Sequence, residues 1–210
     1  KPSSAASDVY KRQDLIVLPE AFDKGFNFPP KNVHDFKNNP SILWMKTLAR
    51  EKQCAICGSL MVKENDNIFN RFIFYDNVKD IIHTYDKLHL FSIANEDKHI
   101  TSGTEIKSFK YKDWNICPQI CYDLRFPELF RFALHFGTDL FVVLGCWPQN
   151  RIEHWVTLLR ARAIENQAFV IGDTPLRLEG TATSIQNYAN NTAGALDNGE
   201  DGLVSASDYL

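Results

Sequence analysis

Three side chains capable of chemistry each end a strand-like segment in this 210-residue sequence. Glu20 ends LIVLPE, Lys87 follows HTYD, and Cys121 ends ICPQIC. Sites of α/β sheets gather at the carboxyl ends of strands. A thiol is mostly protonated at neutral pH, since its reference pKa is about 8.5, so a nucleophilic cysteine needs a nearby base. The pattern indicates thiol chemistry, with Glu20 as the base and Lys87 as the group that stabilises an oxyanion.

Each type of residue also has an ordinary interpretation. A glutamate after proline commonly lies in a turn, a lone lysine in solvent, and a cysteine in the core, as predicted for Cys117. Cys54 and Cys57 form a CAIC pair that zinc or redox chemistry would use. A four-ligand zinc site needs a second pair with similar spacing, and QCAICGSLMV is typical of a buried strand. The pair is therefore predicted to be structural, and neither a metal nor a cofactor is predicted.

The composition is that of an ordinary globular protein. Hydrophobic residues make up 44% of the chain and charged residues 23%, and the net charge is −3. No basic excess indicates a nucleic acid or a polybasic membrane surface as partner. No apolar run approaches the roughly 20 residues of a membrane span, and no signal peptide is visible. Five cysteines without a signal peptide favour reduced thiols in the cytoplasm.

Strand-like and helix-like segments alternate along the chain, which predicts helices packed on a sheet in a single α/β domain. Asn39 and Pro40 provide an N-cap and a first-turn proline for one helix, and Pro127 can begin a second that ends at Gly137. The predicted strands are DLIVLPE, CAICGSLMV, RFIFYD, DIIHTYDKLHL, WNICPQIC, TDLFVVLGC and AFVIG, and the third predicted helix is RIEHWVTLLRARAIENQ.

The three motifs together resemble the nitrilase superfamily of carbon–nitrogen hydrolases. LIVLPEAF is similar to the glutamate motif, YDKLHLF to the lysine motif and ICYDLRFPEL to the nucleophile motif, in the family's order and over roughly Leu15 to Gly172. The resemblance implies a four-layer αββα sandwich. It also implies that Glu20 is the general base, Lys87 the electrostatic stabiliser and Cys121 the nucleophile.

The same resemblance implies further site residues. A second glutamate of the family, which holds the site, corresponds to Glu96. Glu128 is the rival candidate, although its place at a helix start is also explained by the helix dipole. The backbone N–H of Tyr122 would join Lys87 in the oxyanion hole. Asp123 and Arg125 are predicted to set the turn that aims the thiol.

Four segments resemble the omega-amidase branch most: HLFSIANEDKH, CYDLRFPE, GCWPQNR and LLRARAIENQAFVIG. That branch hydrolyses the terminal amide of small dicarboxylic acid monoamides such as 2-oxoglutaramate and releases ammonia. The substrate carboxylate would need a cationic or N–H partner, for which Arg151 is the candidate, with Trp147 as a pocket wall. The implied partners are a small amide and water, and complete relatives are expected to be homodimers.

Two regions differ from the family pattern. Residues 1–13, KPSSAASDVYKRQ, are expected to be a non-native or disordered leader before a single truncated hydrolase domain at 14–210. Beyond Gly172 the segment DTPLRLEGTATSIQ replaces the expected sequence, so the sandwich is expected to be incomplete at both ends. A catalytically dead homologue or fragment, acting only in binding or assembly, is therefore the alternative function. A thiol-redox protein is a third.

Overall fold

The computed structural model describes residues 14–174 of the chain, so the expectations for residues 1–13 and 175–210 lie outside the described residues. The strands are β1 Leu15–Val17, β2 His34–Asp35, β3 Ala55–Glu64, β4 Asn67–Asp76, β5 Ile81–Asp86, β6 Phe109–Tyr111, β7 Trp114–Ile120, β8 Leu140–Leu144 and β9 Phe169–Asp173. The helices are α1 Pro40–Lys52, α2 Pro127–Ala133 and α3 Ile152–Asn166. Among residues 14–174, none of these helices is long and apolar enough to cross a membrane.

The strands of the described part form two sheets. In the first, the order is β1-β3-β4-β5, with β2 also paired to β3. Strand β1 runs parallel to β3, and β4 is antiparallel to both β3 and β5. In the second, the order is β6-β7-β8-β9, with β7, β8 and β9 parallel. Strands β1 and β5 therefore run in the same direction, and their carboxyl ends lie at the same end of the first sheet.

Side chains alternate between the two faces of each strand. One face of each sheet therefore packs on the other sheet, and the opposite face packs on helices. One face of β3 and β4 packs on α1, through a cluster that contains Ile42, Met45, Ala49, Ile56, Leu60, Val62, Ile73 and Tyr75. The opposite face joins the core shared with the second sheet, which contains Ala55, Cys57, Phe72, Phe74, Ile116 and Ile120. Helices α2 and α3 cover the second sheet's far side. The predicted αββα arrangement is confirmed.

Helix α1 begins and buries its face as the sequence predicts. The Asn39 side chain accepts a hydrogen bond from the Ser41 N–H at 2.9 Å, and Pro40 occupies the first turn, where its missing N–H costs nothing. Its buried residues are Ile42, Met45 and Ala49. The apolar face thus follows the 3.6-residue period of the sequence.

Several boundaries differ from the predictions, and three of them have a clear physical reason. Strand β5 ends at Asp86 rather than Leu90, because the following residues turn away to carry Lys87. Strand β4 begins at Asn67, so it includes polar residues that an apolar run does not reveal. Helix α2 ends at Ala133 and continues as a short 3₁₀ turn, which leaves Phe136 47% exposed rather than on the buried face.

Candidate active site

Glu20 lies just beyond β1, with its side chain closed off from solvent. Its backbone N–H bonds to the Gly145 carbonyl at 3.3 Å, which ties the turn to the end of β8. Its Oε1 accepts Lys87 Nζ at 2.8 Å and Asn70 Nδ2 at 2.8 Å. Its Oε2 accepts the Cys146 N–H at 2.9 Å. The carboxylate therefore links both sheets.

Lys87 follows directly after β5 and is 1% exposed. Its backbone N–H bonds to the Asn70 carbonyl at 3.0 Å, and its carbonyl accepts the Gly103 N–H at 2.8 Å. A Cβ on Gly103 would lie 2.2 Å from the Asp86 carbonyl oxygen, so glycine permits this close approach. The ammonium also lies 5.1 Å from the centre of the Phe26 ring. Hydrogen bonds of its N–H and its carbonyl thus fix the backbone position from which the lysine side chain extends.

Glu96 is fully buried in a 3₁₀ turn and contacts the same ammonium. Its Oε2 accepts Lys87 Nζ at 2.9 Å and the Phe91 N–H at 2.7 Å. The rival candidate Glu128 is exposed in the first turn of α2. The structure therefore brings Glu96, and not Glu128, to the lysine.

Asn70 and Ser59 complete this cluster, although sequence reasoning did not single them out. Asn70 Nδ2 donates to Glu20 Oε1 and, at 3.1 Å, to Glu96 Oε1. Ser59 Oγ donates to Asn70 Oδ1 at 2.9 Å and accepts the Ala21 N–H at 2.9 Å. Both residues are 0% exposed in strands that are otherwise mostly apolar inside. A polar residue within such a strand was the available signal, since buried polar groups need partners.

Cys121 begins a 3₁₀ turn that spans Cys121–Arg125 directly after β7. Its φ of 47° lies in the left-handed region, which is unusual for a residue other than glycine and typical of strained functional turns. Asp123 holds the turn: its carboxylate accepts the Ile120 N–H at 3.0 Å, the Tyr85 hydroxyl at 2.8 Å and the His89 N–H at 2.9 Å. The turn that begins at Cys121 and the loop after Lys87 are thereby tied to one buried carboxylate.

The far end of the same turn is held by α3. Arg162 Nε and one terminal nitrogen donate to the Leu124 carbonyl at 3.1 and 2.7 Å, and another terminal nitrogen donates to Glu165 at 2.9 Å. The guanidinium also lies 5.2 Å from the centre of the Phe130 ring. Arg162, in the RARAIEN segment, therefore holds the turn that carries Cys121.

The Cys121 thiol lies among Glu20, Lys87 and the Cys146 N–H. Burial, followed by the charge of Glu20 and the hydrogen bond to it, raises the pKa of the thiol well above its usual range. Lys87 and the Cys146 N–H oppose this shift. The raised pKa favours the protonated thiol at rest, beside the Glu20 carboxylate, to which a thiol proton could be transferred.

Charges around Lys87 oppose the effect of its burial on the pKa of its ammonium group. Burial alone would lower the pKa of the ammonium, but Glu20, Cys121 and Glu96 together raise it. Burial raises the pKa of the Glu96 carboxyl, with Lys87 opposing and Glu20 adding to that shift. Lys87 is therefore a permanent cation at physiological pH, set between two carboxylates and the thiol.

Cys54, Cys57 and Cys117 are buried in the protein interior. Cys57 is buried between the sheets, and burial raises its pKa well above the usual range. Burial raises the pKa of Cys117 to about 12 and also raises that of Cys54. Within residues 14–174, no cluster of histidine, cysteine, aspartate and glutamate could hold a metal ion.

The predicted substrate-binding residues occupy different environments. The Tyr122 ring contacts Phe91, with ring centres 5.1 Å apart. Trp147 is only 3% exposed, and its indole N–H donates to the Arg151 carbonyl at 2.9 Å. The Arg151 side chain is exposed at the start of α3. Trp147 therefore lies beneath the surface, and its contact with Arg151 runs through the backbone.

Arg125 covers the buried tryptophan. Its guanidinium lies 4.9 Å from the centre of the Trp147 ring and 3.4 Å from His154 Nδ1. The ring centre of Trp155 lies 5.1 Å from that of Trp147 on another side. These contacts join Arg125 to Trp147 and His154, and its predicted role in setting the turn that aims the thiol stays a prediction.

A model of the carbon-nitrogen hydrolase family matches residues 3–194. The chain is 34% identical to "Hydrolase in agr operon" of Staphylococcus lugdunensis, over 90% of this chain and 81% of that protein. It is 39% identical to the omega-amidase YafV of Yersinia enterocolitica, over 77% of this chain and 62% of the relative. It is 34% identical to the 2-oxoglutaramate amidase of Bacillus subtilis, over 76% and 62%. The chain thus spans less than two thirds of these two amidases.

Among solved structures, the fold matches a CN-hydrolase superfamily protein of Xanthomonas campestris. The TM-score is 0.76 with 34% sequence identity, over 84% of this chain and 69% of that protein. That structure carries an arsenic adduct in its active site.

Proposed function

The chain belongs to the carbon-nitrogen hydrolase family, and from this premise we propose that it hydrolyses the terminal amide of small dicarboxylic acid monoamides such as 2-oxoglutaramate. The resemblance of its motifs to the nitrilase superfamily is confirmed by the family match. The observation that carries the proposal is the buried contact of Lys87 Nζ with Glu20 and Glu96. The Cys121 thiol lies beside Glu20 and Lys87. The similarity to an omega-amidase and a 2-oxoglutaramate amidase supports the substrate class.

In the first half of the proposed reaction, Glu20 takes the thiol proton and Cys121 Sγ forms a bond to the amide carbon. The carbonyl electrons move onto oxygen, and the resulting oxyanion is stabilised by Lys87 and the Tyr122 N–H. When the carbon–nitrogen bond breaks, the nitrogen takes the proton from Glu20 and leaves as ammonia. A thioester between the acyl group and Cys121 remains.

In the second half, Glu20 takes a proton from water, and the hydroxide oxygen bonds to the thioester carbon. The carbon–sulfur bond then breaks, the sulfur regains a proton, and the carboxylic acid leaves. Amide and water are consumed, and acid and ammonia are formed. Every step uses a side chain already placed at the site, so the proposed reaction requires neither a redox partner nor a cofactor.

Glu96 is proposed to act through Lys87. Because three oxygens of two carboxylates surround the ammonium, the lysine has a fixed position from which to meet an oxyanion. Such preorganisation removes the need for solvent to reorient during the reaction. Arg151 is proposed to bind the substrate's distal carboxylate from its exposed position, and Trp147 to support that region from below.

The proposal is tested by ammonia release from matched amides. Succinamate and butyramide differ in that a carboxylate replaces a methyl group, so faster hydrolysis of succinamate would show recognition of that charge. Intact-mass measurement during turnover should detect an acyl group on the protein, confined to the peptide that contains Cys121. If no amide of the panel yields ammonia or an adduct, the chain is a non-catalytic homologue.

For the complete protein, we propose a cytoplasmic homodimer. Phe132 and Phe136 are 51% and 47% exposed on and just after α2, and a second copy of the chain would cover them. Light scattering should give twice the chain mass, and Phe132→Glu should reduce it to the monomer mass. A monomeric unsubstituted protein would contradict the proposal.

A further inference from the structure

We infer that Asn70 is a positioning residue for Glu20. Its hydrogen bond holds carboxylate oxygen Oε1 in place, so that the other oxygen, Oε2, faces the Cys121 thiol. The inference rests on the proposed function, because it assigns Glu20 as the base. Asn70 touches neither the thiol nor the proposed substrate position, so it acts through Glu20 and Glu96.

The contacts of Glu20 divide unequally between its two oxygens. Oε1 accepts two donors, Lys87 Nζ and Asn70 Nδ2, both at 2.8 Å. Oε2 accepts the Cys146 N–H at 2.9 Å, and this same N–H also lies against the Cys121 sulfur. Because Oε2 and the Cys121 sulfur share this donor, Oε2 is assigned as the oxygen that receives the thiol proton.

The orientation of the Asn70 amide follows from its other neighbour. Ser59 Oγ accepts the Ala21 N–H, so its own hydrogen is available to donate to Asn70 Oδ1. The amide NH₂ group must then face the carboxylates, which accept hydrogen bonds and cannot donate them when ionised. Ala21 directly follows Glu20, so this chain of hydrogen bonds returns to the backbone that carries the base.

An uncharged amide suits this place because the site already holds two carboxylates and one cation. Asn70 Nδ2 reaches both Glu20 Oε1 and Glu96 Oε1, at 2.8 and 3.1 Å. It thus adds donors to both carboxylates without altering the net charge. An acidic residue would add repulsion, and an apolar residue would remove one of the two donors that hold Glu20 Oε1.

The test compares Asn70→Ala, Asn70→Asp and Ser59→Ala with Asn67→Ala as the matched control. Asn67 is an asparagine at the start of the same strand, bonded to Thr101 away from the site. Three quantities are measured from pH 5 to 9: kcat and KM on succinamate, and the rate at which iodoacetamide labels Cys121. The labelling rate needs no amide substrate.

We expect Asn70→Ala to lower kcat by about 10²-fold with little change in KM, as a misplaced catalytic group does. Cys121 labelling should slow in parallel, Ser59→Ala should show a smaller loss, and Asn67→Ala should match the unsubstituted protein. Asn70→Asp should recover activity towards low pH, where a protonated aspartic acid can donate to Glu20. Its activity should fall as pH rises and a third carboxylate ionises.

Unchanged kcat and labelling in folded Asn70→Ala, or an Asn70→Asp pH profile identical to that of the unsubstituted protein, would overturn the inference. If Asn70→Ala does not fold, the pH profile of Asn70→Asp and the kcat of Ser59→Ala decide it in the same way. If the unsubstituted protein hydrolyses no amide, the proposed function fails by itself. Cys121 labelling then decides whether Asn70 positions Glu20.

Discussion

Replacing Cys121 by alanine or serine is expected to lower kcat by on the order of 10⁴-fold or more, as the loss of a nucleophile does. The turn is held by Asp123 and Arg162, and neither contact involves the sulfur. The fold should therefore persist. Serine is not expected to replace cysteine, since an alcohol gives up its proton to a carboxylate far less readily than a thiol does. Ammonia release and a thermal melt measure the two effects.

Cys117→Ala is the matched control for this prediction. Cys117 lies on β7 four residues before Cys121 and is 0% exposed, so its truncation creates a small cavity. It should lower the melting temperature while leaving kcat intact. A Cys121→Ala protein that is folded and still hydrolyses succinamate would show that the nucleophile lies elsewhere.

The strand-end positions of Glu20 and Cys121 could be predicted because each closes an apolar run, whereas Lys87 follows the polar segment HTYD, and the predicted strand ran on to Leu90. Strand ends are readable from sequence, and parallel strands of one layer bring their carboxyl ends together. In the structure, this rule brings together Glu20 and Lys87, which follow β1 and β5 of the first sheet. Cys121 follows β7 of the second sheet, and the packing of the two sheets brings it to them. Glu96 came from resemblance alone, since nothing in HLFSIANEDKH shows that the chain folds back onto the lysine.

The remaining parts of the site depend on contacts that no local pattern encodes. In the sequence, Asn70 is only a polar residue before an apolar run. Pairing of its strand with β3 brings it into hydrogen-bond contact with Ser59 and Glu20. The left-handed backbone of Cys121 depends on Asp123, whose partners Tyr85 and His89 come from the other sheet and its loop. Long-range hydrogen bonds therefore decided what the sequence left open.

Lys87→Met is expected to have the largest effect on stability. The substitution keeps the length of the side chain but removes the cation between Glu20 and Glu96, whose side chains are closed to solvent. Leaving buried charge without its partner costs about 3–5 kcal/mol of unfolding free energy. Loss of an oxyanion stabiliser should also lower kcat by about 10²–10³-fold. Chemical denaturation and ammonia release at neutral pH measure these effects.

The pH dependence of this variant has a definite sign. Burial and the charge of Glu20 raise the pKa of the Glu96 carboxyl, and without Lys87 nothing in this trio opposes that shift, so the folded protein keeps a proton that the unfolded chain has lost. Stability of Lys87→Met should therefore rise as pH falls from neutral towards about 4.3, the pKa of an unfolded glutamate. Lys79→Met, at a lysine whose side chain is 54% exposed, is the control and should change stability little.

Adding Glu96→Gln to Lys87→Met separates the two effects. The amide removes one of the unpaired charges, so much of the lost unfolding free energy should return, and the dependence of stability on pH should weaken. The oxyanion still lacks its cation, so kcat should stay low. Recovery of kcat in the double variant would mean that Lys87 serves only to neutralise the carboxylates. A single variant that unfolds like the unsubstituted protein would mean that the three groups do not carry the charges assigned to them.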